Sequence, residues 1–313
     1  MSVEIRVAQS RELEQAAQAR KKLSEALVFD ESICETDWNV VRALLRKREQ
    51  VRRRKGGYEL KKLEIDGSYY AELTVPPVLK SENVFLFIHG GAFVLGVSPE
   101  NRSFAEMLAE ASGCRVYTAD FALSPENKYP VALNECEKIF EYIEAQHPGS
   151  RIVLFGESTG GNIALALALR RSAAGKSAPG AMILSSPLTD LSGTLDRSVN
   201  LKENRDFIIK PDSSPAYIKA YAGNADLESF EVSPCFGNYS LLPPTFIICD
   251  AHETQLADSL DIDRRLEQAD IDVRTVCMNG AYHSFASLGT KTPETKQILE
   301  ESVKFAMDAL NGE

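Results

Sequence analysis

Residues 152–171, reading IVLFGESTGGNIALALALRR, constrain the fold more than any other stretch of this chain. An apolar run of Val153, Leu154 and Phe155 meets a serine bracketed by glycines, and the chain continues at once into a segment that is apolar on every side. The run suits a strand covered on both faces. The alternating Leu and Ala over residues 163–169 suit a helix packed inside the protein. Between them, Gly156-Glu157-Ser158-Thr159-Gly160 fits a nucleophile elbow, in which small flanking residues let strand and helix approach closely. Such a turn exposes the serine hydroxyl at the sheet's edge, beside the positive end of the helix dipole. By itself the motif is weak, because a glycine-rich turn can also bind phosphate or simply reverse the chain.

The rest of the chain follows a strand and helix rhythm. Strands are predicted over residues 58–65, 69–75, 83–88, 114–119, 181–184, 245–249 and 273–277, and helices over 104–111, 131–145, 256–268 and 296–310. Strands separated by helix-length segments need crossover connections, which implies a mostly parallel, doubly wound α/β sheet with helices on both faces. Residues 11–55 are helical in character, with Trp38, Val41, Leu44 and Leu45 at helical spacing to dock on the main body. Within them, residues 42–55 form a basic run that reads as a solvated helix face, since no aromatic residues interleave it as nucleic-acid binding would favour. Residues 190–242 break the rhythm with polar and Pro-rich turns and read as an insertion over the site. The expected division is therefore an N-terminal helical cap segment, 1–55, and a core, 56–313, that carries a cap insertion over 190–242.

Composition narrows the partners. A chain of 313 residues, 44% of them hydrophobic, can bury a large core. A net charge of -10 argues against nucleic acid and suits action on small neutral molecules. No apolar run reaches membrane-spanning length, and MSVEIRVAQSRELEQ lacks the apolar centre of a signal peptide, so the expectation is a cytoplasmic protein with no membrane partner. Homo-oligomer formation is left open. Cys34, Cys114, Cys136, Cys235, Cys249 and Cys277 are scattered without metal-ligand spacing and read as reduced core thiols.

A hydrolytic serine needs a base and an orienting carboxylate. His283, in NGAYHSF, follows the last predicted strand and so shares the carboxyl edge of the sheet with Ser158. His147 lies before the elbow strand, at the opposite edge, whereas His89 reads as an anchor of a glycine turn and His252 stays a candidate. The carboxylate should follow the strand at 245–249, where Asp250 and Glu253 both qualify and residue physics does not choose between them. The strand 85–88 ends in His89-Gly90-Gly91, whose flexible backbone can turn amides towards a bound oxygen. Gly90, Gly91 and Thr159 are thus the candidate oxyanion donors.

These residues resemble the hormone-sensitive-lipase-like branch of the α/β-hydrolase fold, the esterases with an HGG oxyanion motif. The resemblance rests on HGGAF at 89–93, DFALSPENKYPVAL at 120–133, GESTGG at 156–161, SPLTDLS at 186–192, LPP at 242–244, HETQLADSL at 252–260 and GAYHSF at 280–285. It implies Ser158 as nucleophile, His283 as base, Gly90 and Gly91 in the oxyanion hole, and Glu253 as the acid, because Glu253 opens the family's x-x-L-x-D-S pattern. It also implies an α/β-hydrolase core under a helical cap built from an N-terminal segment and a later insertion. Two departures stand out: the usual Asp-Ser-Ala appears as Glu157-Ser158-Thr159, and the usual Tyr-Arg-Leu-Ala-Pro as Phe121-Ala122-Leu123-Ser124-Pro125. The implied activity is hydrolysis of short-chain carboxylic esters of small molecules through an acyl-serine, with no metal or organic cofactor. The alternatives are an amidase or deacetylase using the same triad, and a non-catalytic ligand receptor, against which the presence of His283 counts.

Overall fold

The computed structural model describes residues 3–24, 37–39, 42, 58–67, 69–196, 205–209 and 214–312. The strands among them are β1 Val3–Val7, β2 Glu59–Ile65, β3 Tyr69–Val75, β4 Val84–Ile88, β5 Arg115–Asp120, β6 Ile152–Glu157, β7 Ala181–Ser185, β8 Thr245–Asp250 and β9 Val273–Asn279. The helices are α1 Arg11–Ser24, α2 Pro99–Ser112, α3 Val131–Gln146, α4 Thr159–Ala173, α5 Ser214–Ala222, α6 Leu256–Gln268 and α7 Pro293–Asn311. One sheet holds all the strands in the order β1-β9-β8-β7-β6-β4-β5-β3-β2. The β2/β3 and β3/β5 pairs are antiparallel and the remaining pairs are parallel.

Strand periodicity sorts the core into two layers. Because successive side chains on a strand point to opposite faces, Phe85, Phe87, Val153 and Phe155 pack on one side with α2, α7 and Leu13 of α1. Val84, Leu86, Ile88, Ile152 and Leu154 pack on the other side with α3, α4 and α6. Phe87, Phe104 and Phe155 fix the first layer through tilted and edge-to-face contacts, with ring centroids 4.8 to 5.6 Å apart. Every residue from Thr159 to Leu169 in α4 is buried, as its all-round apolar sequence requires.

Topology then locates the site. From β4 the chain places β5 on one side and β6 on the other, so the order reverses between β4 and β6. Ligand crevices in open parallel sheets form at the carboxyl ends of strands at such a switch point. The HGG loop leaves β4 there, and Ser158 leaves β6.

The N-terminus departs from its expected helical character. Residues 3–7 form an edge strand parallel to β9, because Val3, Ile5 and Val7 alternate with Glu4 and Arg6 and so have strand period. The Arg6 guanidinium holds this edge to α7 by donating to both carboxylate oxygens of Glu301, at 3.2 and 2.8 Å. Helix α1 falls within the expected helical segment, and Trp38 is buried in the core layer that α4 shares. Val41, Leu44, Leu45 and the basic run beyond Arg42 lie outside the described residues, as does Cys34. Arg42 itself is engaged internally: it donates to the carbonyls of Val94 and Ser124, each at 2.7 Å, and pairs with Glu126 at 3.0 Å. It thereby brings a guanidinium to the loop where Ala122 replaces the family's arginine. The five cysteines other than Cys34 are free and buried. Among the described residues, no helix is long and apolar enough to cross a membrane.

Gly160 sets how closely α4 can approach β4. A Cβ placed there would sit 2.1 Å from the Ile88 carbonyl oxygen and 2.5 Å from that of His89. Neither backbone group can move without shifting the strand. We predict that Gly160→Ala costs about 3 kcal/mol, at the upper end of overpacking penalties, seen as a lowered midpoint in urea unfolding. An unchanged midpoint would mean that this approach is not a constraint.

Candidate active site

Ser158 occupies the turn between β6 and α4 with φ 53° and ψ -120°, a conformation that L-residues rarely adopt. Such a residue persists only where its surroundings over-determine it, at a cost of about 1–3 kcal/mol. Here its N–H donates to the Ser185 carbonyl at 2.8 Å, and its carbonyl accepts from Gly161 N–H at 2.9 Å and Leu188 N–H at 3.2 Å. The side chain is thereby aimed off the end of the sheet.

His283 and Glu253 meet it there. Ser158 Oγ lies 2.9 Å from His283 Nε2, and His283 Nδ1 lies 2.9 Å from Glu253 Oε2. A carboxylate only accepts, so Nδ1 carries the proton and Nε2 is left to accept from the serine hydroxyl. The structure thus brings together three residues that the sequence scatters over β6, the loop after β8 and the loop after β9.

Asp250, the other candidate acid, is placed otherwise. Its two oxygens accept from His252 N–H at 2.9 Å and Ala281 N–H at 2.8 Å, which ties the Glu253 loop to the His283 loop. The Asp250 N–H in turn donates to Glu253 Oε1 at 3.2 Å. On the far side of His283, Ser284 N–H donates to Ser186 Oγ at 2.9 Å. The imidazole is therefore clamped by backbone contacts on both flanks. Asp206 closes the same corner from the 205–209 segment: its carboxylate accepts from Thr254 N–H at 3.0 Å and from the amides of Ile208 and Ile209.

The remaining histidines stand apart. His89 is buried, stacked on Phe121 at 4.5 Å, and donates from Nδ1 to the Gly90 carbonyl at 2.7 Å. Burial lowers its pKa and keeps it neutral. His147 Nε2 meets the Tyr117 hydroxyl at 2.8 Å, and His252 Nε2 meets Asn279 Oδ1 at 3.2 Å.

The glycine turn faces the serine. Gly91 has φ 121°, and a Cβ there would lie 2.8 Å from that of Leu95, so both shape and space require glycine. Gly90 and Gly91 line a pocket of about 90 Å³ together with Ser158 and His283. None of the amides of Gly90, Gly91 and Thr159 donates to a described residue. Thr159 also anchors the turn by its hydroxyl, which accepts from Phe93 N–H at 3.3 Å. The pocket walls include Arg20 of α1, Leu95, and Ile208 and Ile209 of the 205–209 segment, none of which the sequence marks out. Their lone apolar or charged character carries no signal until the fold puts them beside Ser158. Among the described residues, no group of three or more His, Cys, Asp or Glu side chains is arranged to hold a metal ion.

Comparisons with known proteins give the family and the fold. The sequence pattern of the α/β-hydrolase fold matches residues 85–287, and the chain belongs to that family. An esterase of Acinetobacter venetianus is 32% identical over 222 residues, covering 70% of this chain and 73% of that protein. An acetyl-hydrolase of Streptomyces hygroscopicus is 26% identical over 202 residues, covering 64% and 66%. An esterase of the bacterial hormone-sensitive lipase family has the same fold, with a TM-score of 0.85 at 23% identity over 97% of this chain and 99% of that one. The protein is a serine carboxylesterase of the α/β-hydrolase fold.

The electrostatics of the site set its response to pH. Burial alone would depress His283, but the hydrogen bond and charge of Glu253, aided by Asp206 and Glu157, outweigh it and raise the imidazole above its usual value. Burial likewise pushes the Glu253 carboxyl up, with His283 holding it part-way back. Only a neutral imidazole can accept the serine proton, so kcat/KM should fall as pH drops through the raised pKa of His283. In Glu253→Gln the raising charge is gone while the burial remains, and the acid limb should move to lower pH. The residual rate should drop by about 10⁴, by precedent of the serine-protease acid. A pH–rate profile whose acid limb stays in place in Glu253→Gln would refute this coupling.

Proposed function

We propose that the protein hydrolyses short-chain acyl esters of small molecules through a covalent acyl-serine. One observation carries this reading: the continuous hydrogen-bonded chain from Ser158 Oγ through His283 to Glu253, ending beside the unclaimed amides of Gly90, Gly91 and Thr159.

The chemistry follows from those atoms. As Ser158 Oγ attacks the ester carbonyl carbon, its proton passes to His283 Nε2, and the carbonyl oxygen becomes an oxyanion held by the three amides and the dipole of α4. Collapse breaks the bond to the alcohol oxygen, which takes the proton from His283. Water then attacks the acyl carbon, returning a proton to His283, and the acid leaves as Ser158 is restored. Glu253 keeps Nδ1 protonated and stabilises the imidazolium that forms twice in each cycle.

A small pocket walled by Leu95, Ile208 and Ile209 supports short acyl or alkyl groups over long ones. The similarity to an acetyl-hydrolase points in the same direction. Helix α1 and the 205–209 segment, both contributing to the pocket wall, act as the cap that sets its size. A small neutral ester is the partner that fits a net charge of -10 and a largely apolar pocket wall.

The test is Ser158→Ala assayed on p-nitrophenyl acetate and butyrate. The expected loss is about 10⁶-fold, the size found when a triad serine is removed. A fluorophosphonate probe should label the wild type at Ser158 and leave the variant unlabelled. Full turnover by the variant would end this reading.

A further inference from the structure

The two edges of the sheet differ in how they meet solvent. At one edge β2 carries Lys61 and Lys62, whose side chains are 55% and 75% exposed. Lysines on an edge strand discourage another strand from joining it. At the other edge β1 presents Ile5 and Val7, which are 70% and 58% exposed. Both point to the face of the sheet away from α7, since Arg6 between them reaches Glu301 of that helix. Among the described residues no strand pairs with the outer side of β1.

Register fixes which backbone groups of β1 are turned outward. Ala8 N–H donates to the Asn279 carbonyl at 2.9 Å, and Val7 is aligned with Asn279, so the amides and carbonyls of Glu4 and Arg6 point to β9. Those of Val3, Ile5 and Val7 alternate with them and point away from the sheet.

The sequence of this strand, VEIRV, is its own complement. Turned end for end about Ile5, it sets Val3 against Val7, Glu4 against Arg6, and Ile5 against itself. The outward residues then face one another as hydrogen-bonded pairs, each donating an N–H and accepting at its carbonyl. Glu4 and Arg6 fall at the closely spaced positions between them, where opposite charges attract across the strands. Registers centred on Glu4 or on Arg6 oppose like charges instead.

We propose that β1 pairs antiparallel with β1 of a second copy of this chain, about a two-fold axis through Ile5, and so joins two sheets into one. Charge complementarity selects this occupant and this register together. On one face, Val3, Ile5 and Val7 of both copies merge into a single apolar strip. On the other, Glu4 of each copy meets Arg6 of the other, beside Arg274, which pairs with Glu301 at 2.6 Å. The assembly is closed, because the two-fold consumes both β1 edges and leaves a lysine-bearing β2 at each end. The contact is independent of the esterase chemistry, since three strands separate β1 from β6. A five-residue edge covers less surface than the roughly 1,600 Å² of a standard interface, so the association depends on concentration.

Light scattering on the gel-filtered full chain tests the pairing. The mass should approach twice 34.5 kDa at high loading, about 100 μM, and fall towards the monomer value near about 1 μM. Ile5→Lys places two ammonium groups together on the axis, and should stay monomeric throughout with the circular dichroism of the wild type. The register is tested by oxidation with copper phenanthroline at high loading in a Cys34→Ser background, where the other cysteines are buried. Ile5→Cys should give a disulfide-linked dimer, because the axis brings that position against its own copy. Val7→Cys should not, because the two copies of position 7 lie about 14 Å apart along the strands.

A wild-type chain that stays monomeric at high loading would overturn the proposal. So would a dimer that persists in Ile5→Lys, which would put the contact on another face. A mass beyond twice the monomer would mean open head-to-tail pairing of β1 with β2, and would overturn the two-fold. Linkage of Val7→Cys as readily as Ile5→Cys would overturn the register.

Discussion

The contact of α4 with the end of β4, made possible by Gly160, is the constraint on which the rest of the site depends. With no side chain at Gly160, the helix can start directly behind the Ile88 and His89 carbonyls. That closeness forces the chain between β6 and α4 through a turn so sharp that Ser158 takes a positive φ. The cost of that conformation, about 1–3 kcal/mol, is offset by backbone hydrogen bonds to β7 and to the loop that follows it. The same closeness sets the HGG loop beside the serine, so the attacking atom and the candidate oxyanion donors are positioned by one packing contact.

The imidazole is held by a different device. No helix or strand carries His283. It sits in a loop secured on one flank by Asp250 accepting from Ala281 and on the other by Ser186 accepting from Ser284. Asp250 therefore acts as a positioning residue that couples two loops, while Glu253, three residues on, reaches the ring. The 205–209 segment contributes through Asp206, which pins Thr254 and lends negative charge to the same corner. Because Glu253 is buried and screened little by water, its charge shifts the histidine more than a surface charge could.

The family resemblance and the structure meet most informatively where they differ. Arg42, at the start of a basic run that reads as a solvated face, donates to the backbone of both the HGG loop and the Ser124 loop. That contact could not be inferred from the run's composition, since Arg42 and these loops are far apart in the chain and meet only across the fold.

Strand and helix periods, the elbow motif and the alternation of elements were legible in the amino-acid sequence, because each is a local property of side-chain size and polarity. They determined a doubly wound sheet, Ser158 at its carboxyl edge, and His283 on the same edge. The edge strand at 3–7 was obscured, since five alternating residues ahead of a helical pattern carry little periodic signal. The tertiary structure decided two further matters: that Glu253, which the resemblance but not residue physics favoured over Asp250, faces the imidazole, and that Arg20, Ile208 and Ile209 wall the pocket. Choosing between two carboxylates three residues apart depends on which way a loop turns, and loop direction is set by distant backbone amides such as that of Ala281. Pocket walls are likewise a property of residues that meet in space, which no local pattern records.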